Sequence, residues 1–426
     1  MTAFATLASE STGRAQGFLV PRFEISIDGV LLAHSVLRDV IEVTYKDNID
    51  QIDGFELVVG NWDSQRNRFK YMGSEGDQAS QQDDALRELE TLFEPCQKRV
   101  VLKLGYAGDL TEMMTGTFTT MEPTFSSGGP HTLAVRALNM LHRLRRKKYD
   151  MNWPVKGKSS VRDSEIAKSF EGLIDPDWAK KNPGQDARRI PMPIEVDPAA
   201  RSQEPDLFFV GQKDECDIDF LWRRARIHSY VVEVRKPPNP WRPQLTEDFL
   251  YFGPSNNQRG PVDYALAWGS GLMDLKATLT TATQVKKVTV KGWDRVAQKP
   301  IQASVDRDDP KVRAVNPGLS EIVSQCDPRE ERVVTRPVST KDEAEKMARG
   351  MLLGNAKELV KVQGSTIGLP NLRAGSRIKL SGIGGRLSGL YFVTETIHTF
   401  NQSGYITKFT ARREDPDTGL AAGEGR

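Results

Sequence analysis

The chain of 426 residues is long enough to form two to four domains with more than one hydrophobic core. Its 59 basic and 57 acidic residues give a formal net charge of +2, and this near balance disfavours a dedicated nucleic-acid binder, which normally carries a strong basic excess. Cys96, Cys216 and Cys326 lie far apart and form no CxxC pair, which excludes a zinc ribbon and a thioredoxin-like motif.

The N-terminal stretch MTAFATLASESTGRAQGFLV lacks the basic region and the sustained apolar core of a signal peptide. No apolar run approaches the roughly 20 residues that are needed to span a bilayer. We therefore expect no signal peptide and no transmembrane segment, with a flexible N-terminus over 1–17 and folding in a reducing cytoplasm.

The first structured part, over 18–150, has the pattern of a β-rich domain. RFEISIDGVLL alternates apolar and polar residues around Asp28-Gly29, which predicts a strand that enters a tight hairpin turn. The polar stretch GSEGDQASQQDD and the short helix predicted for DALRELETLFEP, with Asp84 as its cap, form an insertion at about 64–97. This insertion is either a peripheral contact for neighbouring baseplate parts or a mobile loop without a partner.

The remaining chain divides into a mixed α+β connecting region over 151–285 and a second β-rich part over 286–414. The sequence STKDEAEKMARGMLLGNAKEL predicts a strong helix in the second part, capped by Ser339 or Thr340. SRIKLSG, LYFVTETIHTF and GYITKFTARR predict three antiparallel strands joined by glycine-containing turns. The last residues, 415–426, are expected to be a flexible tail.

The stretch GQKDECDIDFLWRRARIHSY is the best candidate for chemistry. Four apolar residues have the spacing of one buried helical stripe: Ile218, Leu221, Trp222 and Ala225. The acids then occupy the N-terminal end, where the helix dipole favours negative charge and Asp214 or Asp217 can cap. A structural helix explains every residue, while a catalytic carboxylate pair and a metal site with Cys216 and His228 are the alternatives.

Two further motifs are candidate ligand sites. HRLRRKK contains five cations: Arg143, Arg145, Arg146, Lys147 and Lys148. They form either a phosphate-binding surface or a solvated or partner-facing charge patch, and no interleaved aromatic residue supports single-strand binding. GIGGRLSG at 382–389 is not a GxGxxG motif, because Leu387 occupies its last position and strands flank it on both sides, so it predicts a hairpin turn.

The five histidines are scattered, at positions 34, 131, 142, 228 and 398. Neither HExxH nor GxSxG occurs. The sequence therefore predicts no catalytic, cofactor-binding or metal-binding residue, no cofactor and no enzymatic activity.

Four segments, taken in order, resemble the late-control-gene-D family, the central baseplate hubs of contractile phage tails and phage-like injection particles. They are LKLGYAG with TGTFTTMEPTFSSGGPHTLAVRALNMLHRL, GQKDECDIDFLWRRARIHSY, VTVKGWD, and the closing stretch GLPNLRAGSRIKLSGIGGRLSGLYFVTETIHTFNQSGYITKFTARR. Nine residues of the closing stretch fall on family positions: Leu372, Gly375, Gly389, Tyr391, Val393, His398, Gly404, Tyr405 and Thr407. Ser229 departs from the glycine that many members carry there.

The resemblance, which extends to the hub part of type VI secretion spikes, implies an α+β, β-rich fold. It implies two tube-protein-like β-barrel domains, over 18–150 and 286–414, which close as a trimeric ring with pseudo-six-fold symmetry. Such a homotrimer adapts a six-fold tail tube to a three-fold spike, with the spike protein, the first ring of the inner tube, and the baseplate and wedge proteins as partners. Assembly in the bacterial cytoplasm and release by lysis are expected, without a small-molecule substrate or stable nucleic-acid binding.

Members fused to a spike continue into a further barrel and a β-helix, whereas this sequence stops soon after its last strand, so we expect the spike to be a separate chain. Two rival hypotheses remain. A tail-associated cell-wall or polysaccharide hydrolase would need a carboxylate pair in a cleft. A carbohydrate-binding β-protein would need a row of exposed aromatic residues, which make up 8% of the chain and are spread out. The sequence leaves open whether the particle is a phage tail, a bacteriocin or an injection system.

Overall fold

The structure is a computed structural model that describes residues 20–72, 84–96, 98–155, 157–184, 186–237, 242–255, 262–295, 297–316, 319, 322–323, 325 and 329–414. The expected flexible ends, the polar stretch at 73–83 and Cys326 lie outside the described residues. Within the described part the chain is β-rich with interspersed helices, as predicted. No helix there is both long enough and apolar enough to cross a membrane.

The strands are β1 (Pro21–Ile27), β2 (Val30–Leu31), β3 (Val40–Asn48), β4 (Gly54–Gly60), β5 (Trp62–Asp63), β6 (Arg68–Phe69), β7 (Arg99–Tyr106), β8 (Asp109–Thr124), β9 (Thr132–Asn139), β10 (Lys148–Trp153), β11 (Ile194–Val196), β12 (Val210–Cys216), β13 (Tyr230–Arg235), β14 (Phe249–Pro254), β15 (Tyr264–Trp268), β16 (Gly271–Leu272), β17 (Asp274–Leu279), β18 (Lys287–Asp294), β19 (Lys299–Asp306), β20 (Glu330–Val333), β21 (Val360–Ile367), β22 (Arg377–Ser381), β23 (Gly389–Asn401) and β24 (Gly404–Arg413). The α-helices are α1 (His34–Leu37), α2 (Asp84–Glu90), α3 (Asp163–Ser169), α4 (Pro176–Lys181), α5 (Ala200–Gln203), α6 (Asp217–Ile227), α7 (Pro310–Arg313) and α8 (Lys341–Lys357). Two 3-10 helices span Met140–Arg145 and Phe170–Gly172.

The chain folds into two compact units, and each takes segments that are distant in sequence. Unit 1 comprises Met1–His142, Ser365–Arg373 and Glu395–Phe409. Unit 2 comprises Arg143–Gly364, Ala374–Thr394 and Thr410–Arg426. Strands predicted from the C-terminal third therefore contribute to both units.

Unit 1 is built on one antiparallel sheet with the strand order β23–β3–β4–β9–β8–β7–β1–β2. The predicted tight turn at Asp28-Gly29 joins β1 to β2, with φ of 50° and 84°. Both values lie in the left-handed region that two-residue hairpin turns require, which Asp and Gly tolerate better than bulky residues. The local sequence therefore predicted this hairpin correctly.

The sheet of unit 1 curves back on itself. Phe23 on β1 and Phe400 on β23 belong to strands far apart in the sheet order, yet their ring centroids are 4.9 Å apart. The enclosed side chains of one core cluster are fully shielded from solvent: Val43, Tyr45, Leu57, Val59, Val100, Leu102, Leu104, Phe118, Leu133, Val135 and Ala137. Alternation along each strand places these apolar residues on the same face.

A buried polar cluster ties the late segments of unit 1 to β3. Arg373 donates from Nε to Asp47 Oδ2 at 2.5 Å and also hydrogen-bonds the Tyr45 hydroxyl. The Thr396 hydroxyl donates to the other oxygen of Asp47. Asp53 lies nearby, and burial, together with the charge of Asp47, raises its pKa to about 7. Arg373 therefore supplies the positive charge that offsets two neighbouring carboxyl groups.

His398, one of the residues that carry the family resemblance, lies in the same cluster and is fully buried. Its Nδ1 is 2.9 Å from the Tyr405 hydroxyl and 3.1 Å from the Thr407 hydroxyl, and its Nε2 is 3.0 Å from the Leu372 carbonyl oxygen. Burial lowers the pKa of His398 to about 4, so the imidazole is neutral at physiological pH. Three residues that carry the family resemblance, Leu372, Tyr405 and Thr407, thus surround the ring of a fourth, His398.

Unit 2 contains three small sheets with helices between them: β10–β12, β11–β14–β13 and β19–β18–β20. The predicted helix, now α8, packs its apolar face on β18 and β19, and Thr340 caps it by accepting the Glu343 N–H at 3.1 Å. At Gly350, α8 approaches the end of α6 so closely that an added Cβ would lie 2.1 Å from the Ile227 carbonyl oxygen. Glycine is therefore the residue that permits this helix contact.

The predicted buried stripe of α6 is confirmed, since Ile218, Leu221, Trp222 and Ala225 are each at most 3% exposed. The Trp222 indole N–H also donates to the Val232 carbonyl oxygen of β13 at 3.1 Å. This tryptophan links the helix to the strand that follows it.

We predict that Trp222→Ala lowers the free energy of unfolding by about 3–5 kcal/mol, because it leaves a large cavity. The matched control is Trp293→Ala in the same unit, where the side chain is 54% exposed and the expected loss is under about 1 kcal/mol. Urea denaturation of both variants measures the difference. Equal losses would contradict the packing role of Trp222.

We also predict that the free energy of unfolding falls as pH rises from about 4 to about 7, in part because of Asp53. Its folded-state pKa lies above its ordinary value of 3.8, so the folded state holds the proton across this window and loses that advantage when the carboxyl ionises. Asp53→Asn should flatten this dependence, while Asp109→Asn on the exposed surface of the same unit should not. Urea midpoints at about pH 5 and about pH 8 test this, and an unchanged slope in Asp53→Asn would contradict it.

Candidate functional site

The candidate stretch at 211–230 forms most of β12, then α6 and the start of β13. The predicted capping by Asp214 or Asp217 is wrong. The N-cap of α6 is Cys216, whose side chain accepts no capping hydrogen bond, and Asp214 lies in β12 with a φ of 46°. The cause is that the acids have partners outside the helix, which short-range helix rules do not take into account.

Asp217 illustrates this, because its carboxylate is 2% exposed and fully engaged. Arg189 donates from Nε to Oδ2 at 2.8 Å, and the Gln212 side-chain amide donates to Oδ1 at 2.8 Å. The Arg189 guanidinium carbon also lies 3.4 Å from the ring centroid of Tyr149. Asp217 is thus an anchor between β12, α6 and the segment that carries Arg189, and its carboxylate faces no open cleft.

A second buried ion cluster centres on Asp163, which the sequence did not single out. Arg224 donates from Nε and Nη2 to its two oxygens at 2.6 and 2.9 Å, and His228 Nε2 lies 2.7 Å from Oδ2. Burial would raise the pKa of Asp163, but Arg224 and His228 outweigh it and hold that pKa at about 2. The three side chains come from α3, α6 and the residue after α6.

A pocket of about 350 Å³ opens beside this cluster, within unit 2. Its lining combines apolar and charged residues: Asp163, Pro205, Leu207, Phe209, Val210, Gly211, Arg223, Arg224, Ile227, His228, Arg336, Pro337, Glu343 and Met347. The candidate stretch therefore does line a cavity, through its first residue and the C-terminal half of α6.

The pocket brings together two carboxyl groups, Asp163 and Glu343, whose pKa values shift in opposite directions, with that of Glu343 raised mainly by burial. Such a divergence is typical of acid–base pairs. Here, however, Glu343 accepts the Ser339 N–H at 2.7 Å as part of the α8 cap, and Asp163 is held by Arg224 and His228. Both groups have structural partners, which favours a structural interpretation of the cluster.

The alternative of a metal site at Cys216 and His228 gains no support. His228 contacts Asp163, while the Cys216 thiol lies 3.5 Å from the Arg145 carbonyl oxygen, and burial raises the pKa of that thiol. Among the described residues no group of three or more potential ligands is arranged to hold a metal ion.

The basic segment HRLRRKK is largely neutralised within unit 2. Arg145 donates from Nη2 to Asp219 at 2.8 Å, Lys147 to Asp177 at 2.5 Å, and Lys148 to Asp214 at 3.0 Å; these acids come from α6, α4 and β12. Three of the five cations thus hold the segment to its own unit, and the two that remain, Arg143 and Arg146, lie over the Trp178 ring.

The fold is similar to that of two solved tail proteins. The 43 kDa tail protein of prophage MuSo2 from Shewanella oneidensis matches with a TM-score of 0.58 and 12% sequence identity, covering 93% of this chain and 99% of that chain. The tail protein from Neisseria meningitidis MC58 matches with a TM-score of 0.54 and 13% identity, covering 92% of this chain and 96% of that one. The chain therefore has the fold of these tail proteins over nearly its whole length.

Sequence comparison adds little to this. Residues 203–402 match the profile of the family described as the Alg8 N-terminal domain, which is less than half of the chain and does not establish membership. No curated protein matches the sequence.

We predict that Asp163→Asn lowers the free energy of unfolding by about 3–5 kcal/mol at neutral pH, because Arg224 loses its buried counter-charge. The matched control is Asp206→Asn, which breaks a largely exposed pair with Arg162 and should cost less than about 1 kcal/mol. Because the pKa of Asp163 is depressed, the stabilisation should be present above pH 3.8 and fade as pH falls towards 2. Urea unfolding measures each effect, and similar losses in the two variants would disprove the assignment.

Proposed function

We propose that the chain is a structural baseplate hub of a contractile tail or phage-like injection particle. The observation that carries the proposal is the fold similarity to tail proteins across 93% of this chain and 99% of the Shewanella protein. The ordered family resemblance of four segments, from LKLGYAG to the closing hairpins, supports the hub assignment within that broader class. On this proposal the spike protein, the first inner-tube ring, and the baseplate and wedge proteins are its partners.

The proposal includes a homotrimer that matches a six-fold tube to a three-fold spike. Three copies of the chain can form a ring with six comparable faces if each copy supplies two β-rich faces. Unit 1, with its curved sheet, is one candidate face, and the β-rich part of unit 2 is the other. Because residues 365–373 and 395–409 belong to unit 1, the two units are the bodies to superpose, in place of the linear segments 18–150 and 286–414.

Exposed apolar residues at one sheet edge support association. Strand β2 is a two-residue edge strand of unit 1, with Val30 72% and Leu31 57% exposed. Unpaired edges with apolar side chains are prone to pairing with another chain, and a closed ring covers such edges.

A hydrolase remains the second candidate, because the pocket contains Asp163 and the raised-pKa Glu343. Zymography on cell-wall and polysaccharide substrates tests it, with Glu343→Gln as the decisive variant and Glu345→Gln, an acid on the same helix outside the pocket lining, as control. Hydrolysis that Glu343→Gln abolishes and Glu345→Gln does not would contradict the structural proposal and favour the hydrolase.

Glycan-array binding tests the third hypothesis, a carbohydrate-binding β-protein.

We predict that the purified chain forms a homotrimer, measured by native mass spectrometry over a range of concentrations. Val30→Asp together with Leu31→Asp should shift the population towards monomer, because charge at an edge disfavours strand pairing. Val155→Asp, at a 62% exposed site in unit 2, is the control. A monomer or dimer at every concentration would contradict the hub proposal.

A further inference from the structure

Arg143 and Arg146 differ from the other cations of their segment in how their charge is compensated. The guanidinium carbons of Arg143 and Arg146 lie 4.7 and 5.7 Å from the ring centroid of Trp178. Among the described residues neither side chain has a hydrogen-bonded carboxylate, whereas the other three cations each do. Two like charges thus lie over one aromatic ring, and the cation–π attraction of that ring favours both positions.

The nearby acids are already engaged. Asp186 is the acid whose charge acts on Arg143, but Arg188 occupies both of its oxygens with hydrogen bonds of 2.7–3.1 Å. Asp175 accepts two backbone N–H groups at the start of α4 and the Tyr149 hydroxyl. The local carboxylates are therefore bound elsewhere, and the two guanidinium groups keep their donors.

The surroundings add positive charge. Helix α4, which carries Trp178, has Lys180 and Lys181 exposed in its last turn. Arg143 is half-buried, and burial together with the charge of Arg146 lowers its pKa. The two guanidinium groups therefore repel each other, and a bound anion would reduce this repulsion. Two isolated surface arginines would not repel each other in this way.

We propose that Arg143 and Arg146, which lie over the Trp178 ring, form a carboxylate-binding site that docks an acidic segment of another protein. Guanidinium groups bind carboxylates through paired, charge-assisted hydrogen bonds, and the attraction of both groups to one indole ring keeps them close together on the surface. A nucleic acid fits less well, since it requires a track of cations along its backbone, and three cations of this segment are consumed by Asp219, Asp177 and Asp214. The inference does not depend on the proposed function.

The test uses the purified full chain and fluorescein-labelled hexaglutamate, with hexaglutamine as the uncharged peptide, at low salt. We expect fluorescence anisotropy to show binding of hexaglutamate only. The double variant Arg143→Gln with Arg146→Gln should weaken hexaglutamate binding by at least about tenfold, because the loss of even one charge-assisted hydrogen bond has an effect of this size. Single variants allow a matched comparison, because Arg143→Gln or Arg146→Gln should each weaken binding more than Arg145→Gln, which removes the same charge from a paired residue. Thermal unfolding checks that every variant is folded.

Four outcomes would overturn the proposal. The first two are that hexaglutamate does not bind, or that Arg145→Gln weakens its binding as much as the other single variants do. The other two are that inorganic phosphate displaces hexaglutamate at the same concentration as free glutamate does, or that a dodecathymidine oligonucleotide binds more tightly than hexaglutamate and the double variant abolishes that binding. The last outcome would assign the site to nucleic acid. The phosphate outcome would reduce it to a general anion site.

Discussion

Arg373 and Asp47 are separated by 326 residues, and their ion pair is the contact on which unit 1 depends. The segment that carries Arg373 is distant in sequence from the N-terminal sheet and buries a positive charge there. This buried charge is stable only when its partner, Asp47, lies beside it. Once paired, Arg373 also satisfies the Tyr45 hydroxyl and offsets the nearby Asp53. The apolar core around these groups is then closed by β23, whose later residues pair with β3.

Unit 2 relies on the same kind of interaction at α6. Asp217 and Asp219 lie in the first turn of α6, as the dipole argument predicts. In addition, Asp217 binds Arg189 and Gln212, and Arg224 binds Asp163. Each pair joins α6 to an element elsewhere in the unit. Removing one partner would leave a buried charge, which costs far more than a lost surface pair. The helix is therefore fixed by charge as well as by the stripe that contains Trp222.

The sequence was informative where structure is decided locally. The turn at Asp28-Gly29, the cap at Thr340 and the stripe through Trp222 depend on residues within a few positions of one another, and the structure confirms all three. It was uninformative where partners meet across the chain. Nothing near Asp217 indicates Arg189.

The candidate pocket and the proposed carboxylate-binding site follow the same rule. Asp163 enters the pocket only because α3 packs beside α6. The ring over which Arg143 lies does not belong to the basic segment, because Trp178 comes from α4, 35 residues later. Contacts of this kind follow from tertiary packing, which periodicity and spacing do not encode.

The buried charges of unit 1 have a further consequence for strand register. Thr396 of β23 lies opposite Asp47 of β3, and His398 lies opposite Tyr45. These four polar side chains face Arg373 or one another within the apolar interior. A slip by one residue would turn Thr396 and His398 to the other face, and would leave the carboxylate of Asp47 without its hydroxyl partner. A wholly apolar β23 could pack with similar energy in either register, because apolar contacts have no direction. The polar cluster therefore specifies one register between two strands that are more than 300 residues apart. Apolar residues of equal volume could give unit 1 the same stability, but they would not specify this register.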